Sequence, residues 1–226
     1  MSLSIHGTQL SQPTRSVIEF CKFCRIDFNF IYVNIPKGEQ LSVEFQKLNP
    51  FGLVPVILHE GFNLWESPAI ITYLADAYDT DTQWYPKDRK IRARIDAYLH
   101  WHHENVREPI AGYVRGKVIG PLFFGFSELS EDDEVKLREK MHNSLRQISE
   151  IIRENRFIAR TEQLTIADIF AFNEIFNTQI VNLDLSGYPD IVRWYNDIAS
   201  IPEVVETSDG VIERFFKLKE AMKSSN

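Results

Sequence analysis

Cysteine is scarce: Cys21 and Cys24 are the two cysteines in 226 residues, too few for a disulfide framework and in keeping with a reducing compartment. Long apolar runs are missing too. No stretch approaches the roughly 20 consecutive apolar residues that a spanning helix requires. The opening Met1-Ser2-Leu3-Ser4-Ile5-His6 lacks the basic flank and apolar run of a signal peptide. Basic charge is in deficit, since 25 Lys and Arg against 32 Asp and Glu leave a net charge of −7. Such a chain repels nucleic acid and anionic membrane surfaces. No internal repeat and no low-complexity segment interrupts it. The expected compartment is the cytosol, and the 44% hydrophobic content is enough to bury the core of one large domain or two small ones.

What is present is a change of rhythm along the chain. Short apolar runs alternate with helical patterns at first: a strand over 3–6, a turn over 7–11, then a helix from Pro13 with Val17, Ile18, Phe20 and Cys21 at helical spacing. A strand over 28–33, a helix over 41–48, strands over 54–58 and Phe62–Trp65 around the turn Glu60-Gly61, and a helix over 67–78 complete a β-α-β-α-β-β-α unit. Asp79-Thr80-Asp81-Thr82 is polar and breaks the helix. Beyond it the pattern is helical, over 88–118, 131–155, 165–178 and 190–200. The expected architecture is an α/β domain over 1–79, a linker over 80–87 and an all-helical domain over 88–226.

Several residues carry chemistry with more than one reading. Cys21 and Cys24 have C-x-x-C spacing, but a redox pair works at a helix N-terminus, where the thiol pKa falls. A helix begun at Pro13 puts both thiols inside it as packing residues. Ser11 and Ser67 each stand shortly before a proline that suits a helix start, where serine caps the helix. A hydroxyl and free N–H groups at such a place also form an anion site. Val54-Pro55 is either an ordinary trans proline opening an edge strand or a cis turn. His100, His103 and Glu104 fall at i, i+3 and i+4 on one helix face, a spacing that suits a metal. Without a further ligand motif they read as exposed polar residues, and no metal is assigned.

Three segments, taken together with their order and spacing, resemble the first half of glutathione transferases: Leu10-Ser11-Gln12-Pro13-Thr14-Arg15, Asn49-Pro50-Phe51-Gly52-Leu53-Val54-Pro55 and Leu64-Trp65-Glu66-Ser67-Pro68-Ala69-Ile70-Ile71. The theta class is the nearest in pattern, ahead of a phi-like one. Trp84-Tyr85-Pro86, Arg92-Ala93-Arg94-Ile95-Asp96 and Trp101 are similar to the opening of the theta helical domain. Leu164-Thr165-Ile166-Ala167-Asp168 resembles the family's buried capping motif, with Thr165 at N-cap and Asp168 at N3, a folding element.

The resemblance implies a thioredoxin-like first domain holding glutathione as co-substrate. Ser11, beside Gln12, would donate to the thiolate. The Val54 backbone, ahead of a cis Pro55, would pair with the cysteinyl part. Ser67 would take the γ-glutamyl carboxylate and Glu66 its ammonium group. Gln40 and Leu53 would lie near the glycine end, and Glu104 would reach across a homodimer to the partner's γ-glutamyl ammonium. Physics supports the role of Ser11. A thiol with a pKa of roughly 8.5 is mostly protonated at neutral pH. A hydrogen bond to the anion worth about 1.5 to 3 kcal/mol lowers that pKa by about one to two units, at about 1.36 kcal/mol per unit.

Gln40 and Leu53 stand where theta relatives carry histidine and lysine or glutamine, so glutathione affinity is expected to be modest. Arg107, Tyr113, Phe123, Phe124 and Phe126 fall where relatives build the second-substrate site. Arg107 would stabilise a leaving group's charge, and the aromatics either line an apolar pocket or pack in the core. With the chain ending at Asn226, that site is expected to be open. The expected activity is attack of glutathione on a hydrophobic electrophile by conjugation, dehalogenation or peroxide reduction. The alternative is a non-catalytic ligand carrier or docking module on the same fold.

Overall fold

The computed structural model describes residues 2–80 and 82–223. Met1, Asp81 within the polar stretch expected to link the domains, and Asn226 lie outside the described residues. The first half is built on a four-stranded mixed sheet in the order β2-β1-β3-β4. In β1 (Leu3–Gly7) Leu3, Ile5 and Gly7 are buried and Ser4 and His6 are not, the alternation of a strand with one core face. β2 (Asn29–Tyr32) pairs parallel to it, with Ile5 beside Phe30. As the edge strand it is exposed along its length rather than alternating. β3 (Val56–His59) and β4 (Phe62–Trp65) follow antiparallel, placing Ile57 between Ile5 and Leu64. α1 (Gln12–Phe23) and α3 (Ser67–Ala77) cover the sheet. α2 (Val43–Gln46) is shorter than the expected helix, because 3₁₀ turns at Ile35–Lys37 and Glu39–Leu41 precede it and Ser42 caps it at Phe45 N.

The second half is helical. α4 (Arg89–His102), α5 (Glu108–Val114) and α6 (Gly120–Phe123) form one rod broken by π turns at His103–Arg107 and Arg115–Ile119. The causes are Pro109 and Pro121, which have no N–H to continue the ladder just after each π turn. α7 (Glu131–Asn155), α8 (Ile166–Phe176) and α9 (Pro189–Ala199) match the expected runs, whereas α10 (Pro202–Ser208) and α11 (Val211–Lys223) were not foreseen. The capping motif is present at α8. Buried Asp168 accepts from the backbone N–H groups of Ile158 and Thr165 and from Trp194 Nε1 at 2.9–3.0 Å.

One apolar core runs from Leu3, Ile5 and Ile57 through α1 and α8 to Trp194 and Ile198. Within it α1 and α8 share a polar seam. Arg15 is fully buried. Its Nε donates to Asn173 Oδ1 at 2.7 Å, Nη2 to Asn177 Oδ1 at 2.7 Å and Nη1 to Gln9 O at 2.8 Å. Asn173 Nδ2 in turn donates to Glu19 Oε2 at 2.7 Å and Ser16 Oγ at 3.1 Å.

Burial pushes the Glu19 carboxyl up to about 8, against the pull of Arg15 and Asn173. An unfolded glutamate titrates at roughly 4.3. Between those values the unfolded chain releases a proton that the folded chain keeps, so stability falls as pH rises through this window. Glu19→Gln is therefore expected to change the melting temperature little at pH 5 and to raise it above wild type at pH 9. A melting difference that is the same at both pH values would contradict this.

Candidate active site

Two helix starts carry serines whose hydroxyls are not used for capping. Ser11 occupies the N-cap position of α1 with extended backbone, yet its side chain makes no cap hydrogen bond. Only its backbone is engaged, N–H to Thr8 O and C=O from Arg15 N. At α3 the N-cap is Glu66 rather than Ser67, with Ser67 the first helical residue and Pro68 the second. The expected cap was one residue late, because Glu66 itself turns the chain with φ 69°, in the left-handed region that a β-carbon disfavours. Such a conformation costs of order 1–3 kcal/mol and persists only where its surroundings impose it. It leaves the buried Ser67 at the positive end of the helix with its hydroxyl free of any cap bond.

Ser67 faces a cleft of about 400 Å³ between the two halves, which Val54, Pro55, Glu66 and Ser67 line from one side and His103, Arg107 and Glu174 from the other; of the start of α1, Pro13 lines it. The Val54–Pro55 bond is cis. Asn49 holds the preceding turn, its Nδ2 donating to Leu53 O at 2.8 Å and its Oδ1 accepting from Phe51 N at 3.0 Å. Gly52 is required within that turn: its φ is +64°, and a β-carbon would meet the Gln40 carbonyl oxygen at 3.0 Å. Gln40 is buried with its Oε1 unpartnered, while Leu53 is 60% exposed.

Glu174 is the site residue that the motifs did not point to. Its Oε1 accepts from Arg107 Nη1 at 2.6 Å and its Oε2 from Gln12 Nε2 at 3.0 Å. Burial raises its pKa, but the Arg107 guanidinium and His102 together more than offset this and hold the carboxyl below its ordinary range. Arg107 and Gln12 are thus brought together through a third residue. The available signal was a glutamate beside Asn173 inside the otherwise apolar run of α8.

A second, smaller cavity of about 130 Å³ is apolar and bounded by Leu10, Ile35, Ile119, Phe123, Phe124 and Phe215 among others. Ser11 lines neither cavity itself; Leu10 before it lines the apolar one and Pro13 after it lines the cleft. Of the aromatics expected there, Phe123 and Phe124 line it. Phe126 is exposed and packs on Gly120, and Tyr113 is core with its hydroxyl toward Glu134.

Glu104 is exposed and sits apart from the cleft, in a groove with Asn105, Glu108 and Lys140. His100, His102 and His103 all line the cleft, and buried His102 pairs with Tyr98 Oη through Nδ1 at 3.0 Å. Among the described residues no group of three histidine, cysteine or acidic side chains is placed to hold a metal ion. Cys21 lies within α1 and Cys24 at its C-cap, one residue past the expected interior. Burial raises both thiol pKa values, the opposite of a redox centre. Among the described residues no helix is long and apolar enough to cross a membrane.

The chain matches the models for the glutathione S-transferase N-terminal domain over residues 14–77 and C-terminal domain over residues 95–202. Glutathione S-transferase T1 of Arabidopsis thaliana is 33% identical to it over 99% of this chain and 93% of its own length. Glutathione S-transferase theta-2 of Rattus norvegicus is 33% identical over 86% of this chain and 79% of its own length. Human glutathione transferase theta-2 in complex with glutathione superposes with a TM-score of 0.88 at 28% identity, covering 99% of this chain and 91% of that one. A human theta-class transferase holding the glutathione conjugate of 1-menaphthyl sulfate gives 0.89 at 27% identity, covering 100% and 91%. By sequence and by fold, the chain belongs to the glutathione S-transferase family, alongside its theta-class enzymes.

Proposed function

We propose that Ser11 activates glutathione for attack on a hydrophobic electrophile, with residues 1–79 holding glutathione, 80–87 linking, and 88–226 supplying the second-substrate wall. The observation that carries this is the hydroxyl of Ser11, unspent in capping, on the chain between Leu10, which lines the apolar pocket, and Pro13, which lines the cleft. In the cleft Ser67 and the start of α3 receive the γ-glutamyl carboxylate, Glu66 its ammonium group, and the Val54 backbone beside cis Pro55 the cysteinyl part. Gln40 and Leu53 bound the glycine end, with Gln40 Oε1 as its uncharged polar group.

The thiol proton leaves to solvent, and Ser11 donates a hydrogen bond to the resulting thiolate. The thiolate attacks the electrophilic carbon, a C–S bond forms, and the leaving group departs with the bonding pair toward Arg107. The apolar pocket takes the body of the electrophile. An aralkyl sulfate ester is the class we propose, because the human theta relative holds the glutathione conjugate of such an ester.

Glu104 lines a separate groove and not its own cleft, so we assign it to the γ-glutamyl ammonium of a second copy. Phe51 and Phe62, 64% and 49% exposed, supply apolar surface for that homodimer. The setting is the cytosol, in keeping with two free cysteines.

Ser11→Ala is expected to lower kcat toward 1-menaphthyl sulfate by about ten- to a hundredfold, the loss of about 1.5 to 3 kcal/mol. Glutathione affinity by calorimetry should stay within about threefold. Unchanged turnover would sink the mechanism, and no turnover by wild type would return the fold to a carrier. Glu104→Gln should raise KM for glutathione several-fold in a protein that sediments as a dimer. A fully active monomer would overturn the shared site.

A further inference from the structure

The cleft has a carboxylate that the proposed chemistry does not consume. Glu174 is 3% exposed, and a carboxylate so buried costs several kcal/mol of desolvation unless it is fully partnered. It is not needed to join α1 to α8, since Arg15 with Asn173 and Asn177 already does so one turn deeper along α1. Its two partners instead come from the two halves of the molecule, Gln12 from α1 and Arg107 from the helical rod. Gln12 follows Ser11 directly in the chain, and Arg107 closes the π turn of the long helical rod.

Resting on the reading of Ser11 and Arg107 above, we propose that Glu174 is a positioning residue that aims the Arg107 guanidinium at the departing group and ties it to the turn bearing Ser11. A guanidinium has five N–H donors, and the 2.6 Å bond to Glu174 commits one of them. The remaining donors keep a fixed direction, which is where catalytic benefit arises when a donor must meet charge that develops in the transition state. Glu174 also neutralises the arginine, so the pair offers directed N–H groups without a free charge that would trap anions in the resting cleft.

His102 completes the arrangement. Its buried Nε2 has no hydrogen-bond partner and lies 3.9 Å from Glu174 Oε1. Burial lowers the His102 pKa, which keeps the ring neutral. His102 Nδ1 pairs with Tyr98 Oη at 3.0 Å; in the tautomer in which Tyr98 donates, Nε2 carries the hydrogen toward Glu174.

The test is a double-mutant cycle on the full chain, with glutathione and 1-menaphthyl sulfate as substrates: wild type, Glu174→Gln, Arg107→Met and both together. Glu174→Gln is expected to lower kcat/KM for the ester at least tenfold, leave KM for glutathione within about twofold, and add less than about twofold once Arg107 is methionine. Equal losses in the two backgrounds, or no loss in the single variant, would overturn the proposal while leaving the reading of Ser11 and Arg107 standing. An Arg107→Met variant with full activity would overturn the arginine's role and this proposal with it. Should Glu174→Gln not fold, Glu174→Asp keeps the buried charge but withdraws it by one methylene. A drop in kcat at unchanged melting temperature then upholds the proposal, and wild-type kinetics overturns it.

Discussion

A guanidinium buried to zero exposure between two helices dictates how the halves of this molecule meet. Arg15 on α1 has no water to turn to, so its N–H groups must find Asn173, Asn177 and Gln9 at hydrogen-bonding distance. The planar fork of arginine allows little tolerance in that fit. Helix α8 is therefore fixed against α1 in rotation as well as in distance. Ser11 and Gln12 begin the same helix one turn before Arg15, and Glu174 follows Asn173 in α8. The register set by the seam thus becomes the geometry of the cleft.

The cleft in turn is made from structure that stops short of satisfying itself. A serine at an N-cap ordinarily spends its hydroxyl on the helix. Here Ser11 does not, and at α3 the backbone of Glu66 adopts a left-handed turn that leaves Ser67 equally uncommitted. Gln40 Oε1 and His102 Nε2 are buried without partners beside the same region. Each costs folding free energy that the large shared core and the Asp168 motif offset elsewhere. Groups left available in this way are what a ligand with a carboxylate, an ammonium group and a thiol requires.

Much of this was legible in the sequence because local chemistry carries it. The strand and helix periods, the prolines at helix starts, the 131–155 helix and the capping motif Thr165 to Asp168 need only neighbours in the chain. The order and spacing of the three segments pointed to Val54, Pro55, Glu66 and Ser67, which line one cleft, and to a cis Val54–Pro55 bond. Glu174 stayed hidden, since its meaning depends on Gln12 and Arg107, which lie 162 and 67 residues away. The π turns were hidden as well: Pro109 and Pro121 were visible, but whether a rod breaks or absorbs them is decided by packing. Tyr113 had the composition of a pocket residue and the position of a core one.

The central claim is that one hydroxyl, placed by the seam, lowers the pKa of a bound thiol. Following thiolate absorbance of bound glutathione against pH, for wild type and Ser11→Ala, measures it directly. The account predicts a bound pKa about one to two units below the roughly 8.5 of a free thiol, reverting in the variant. A thiol that titrates as in free glutathione when bound to wild type, or a shift that survives in Ser11→Ala, would contradict it.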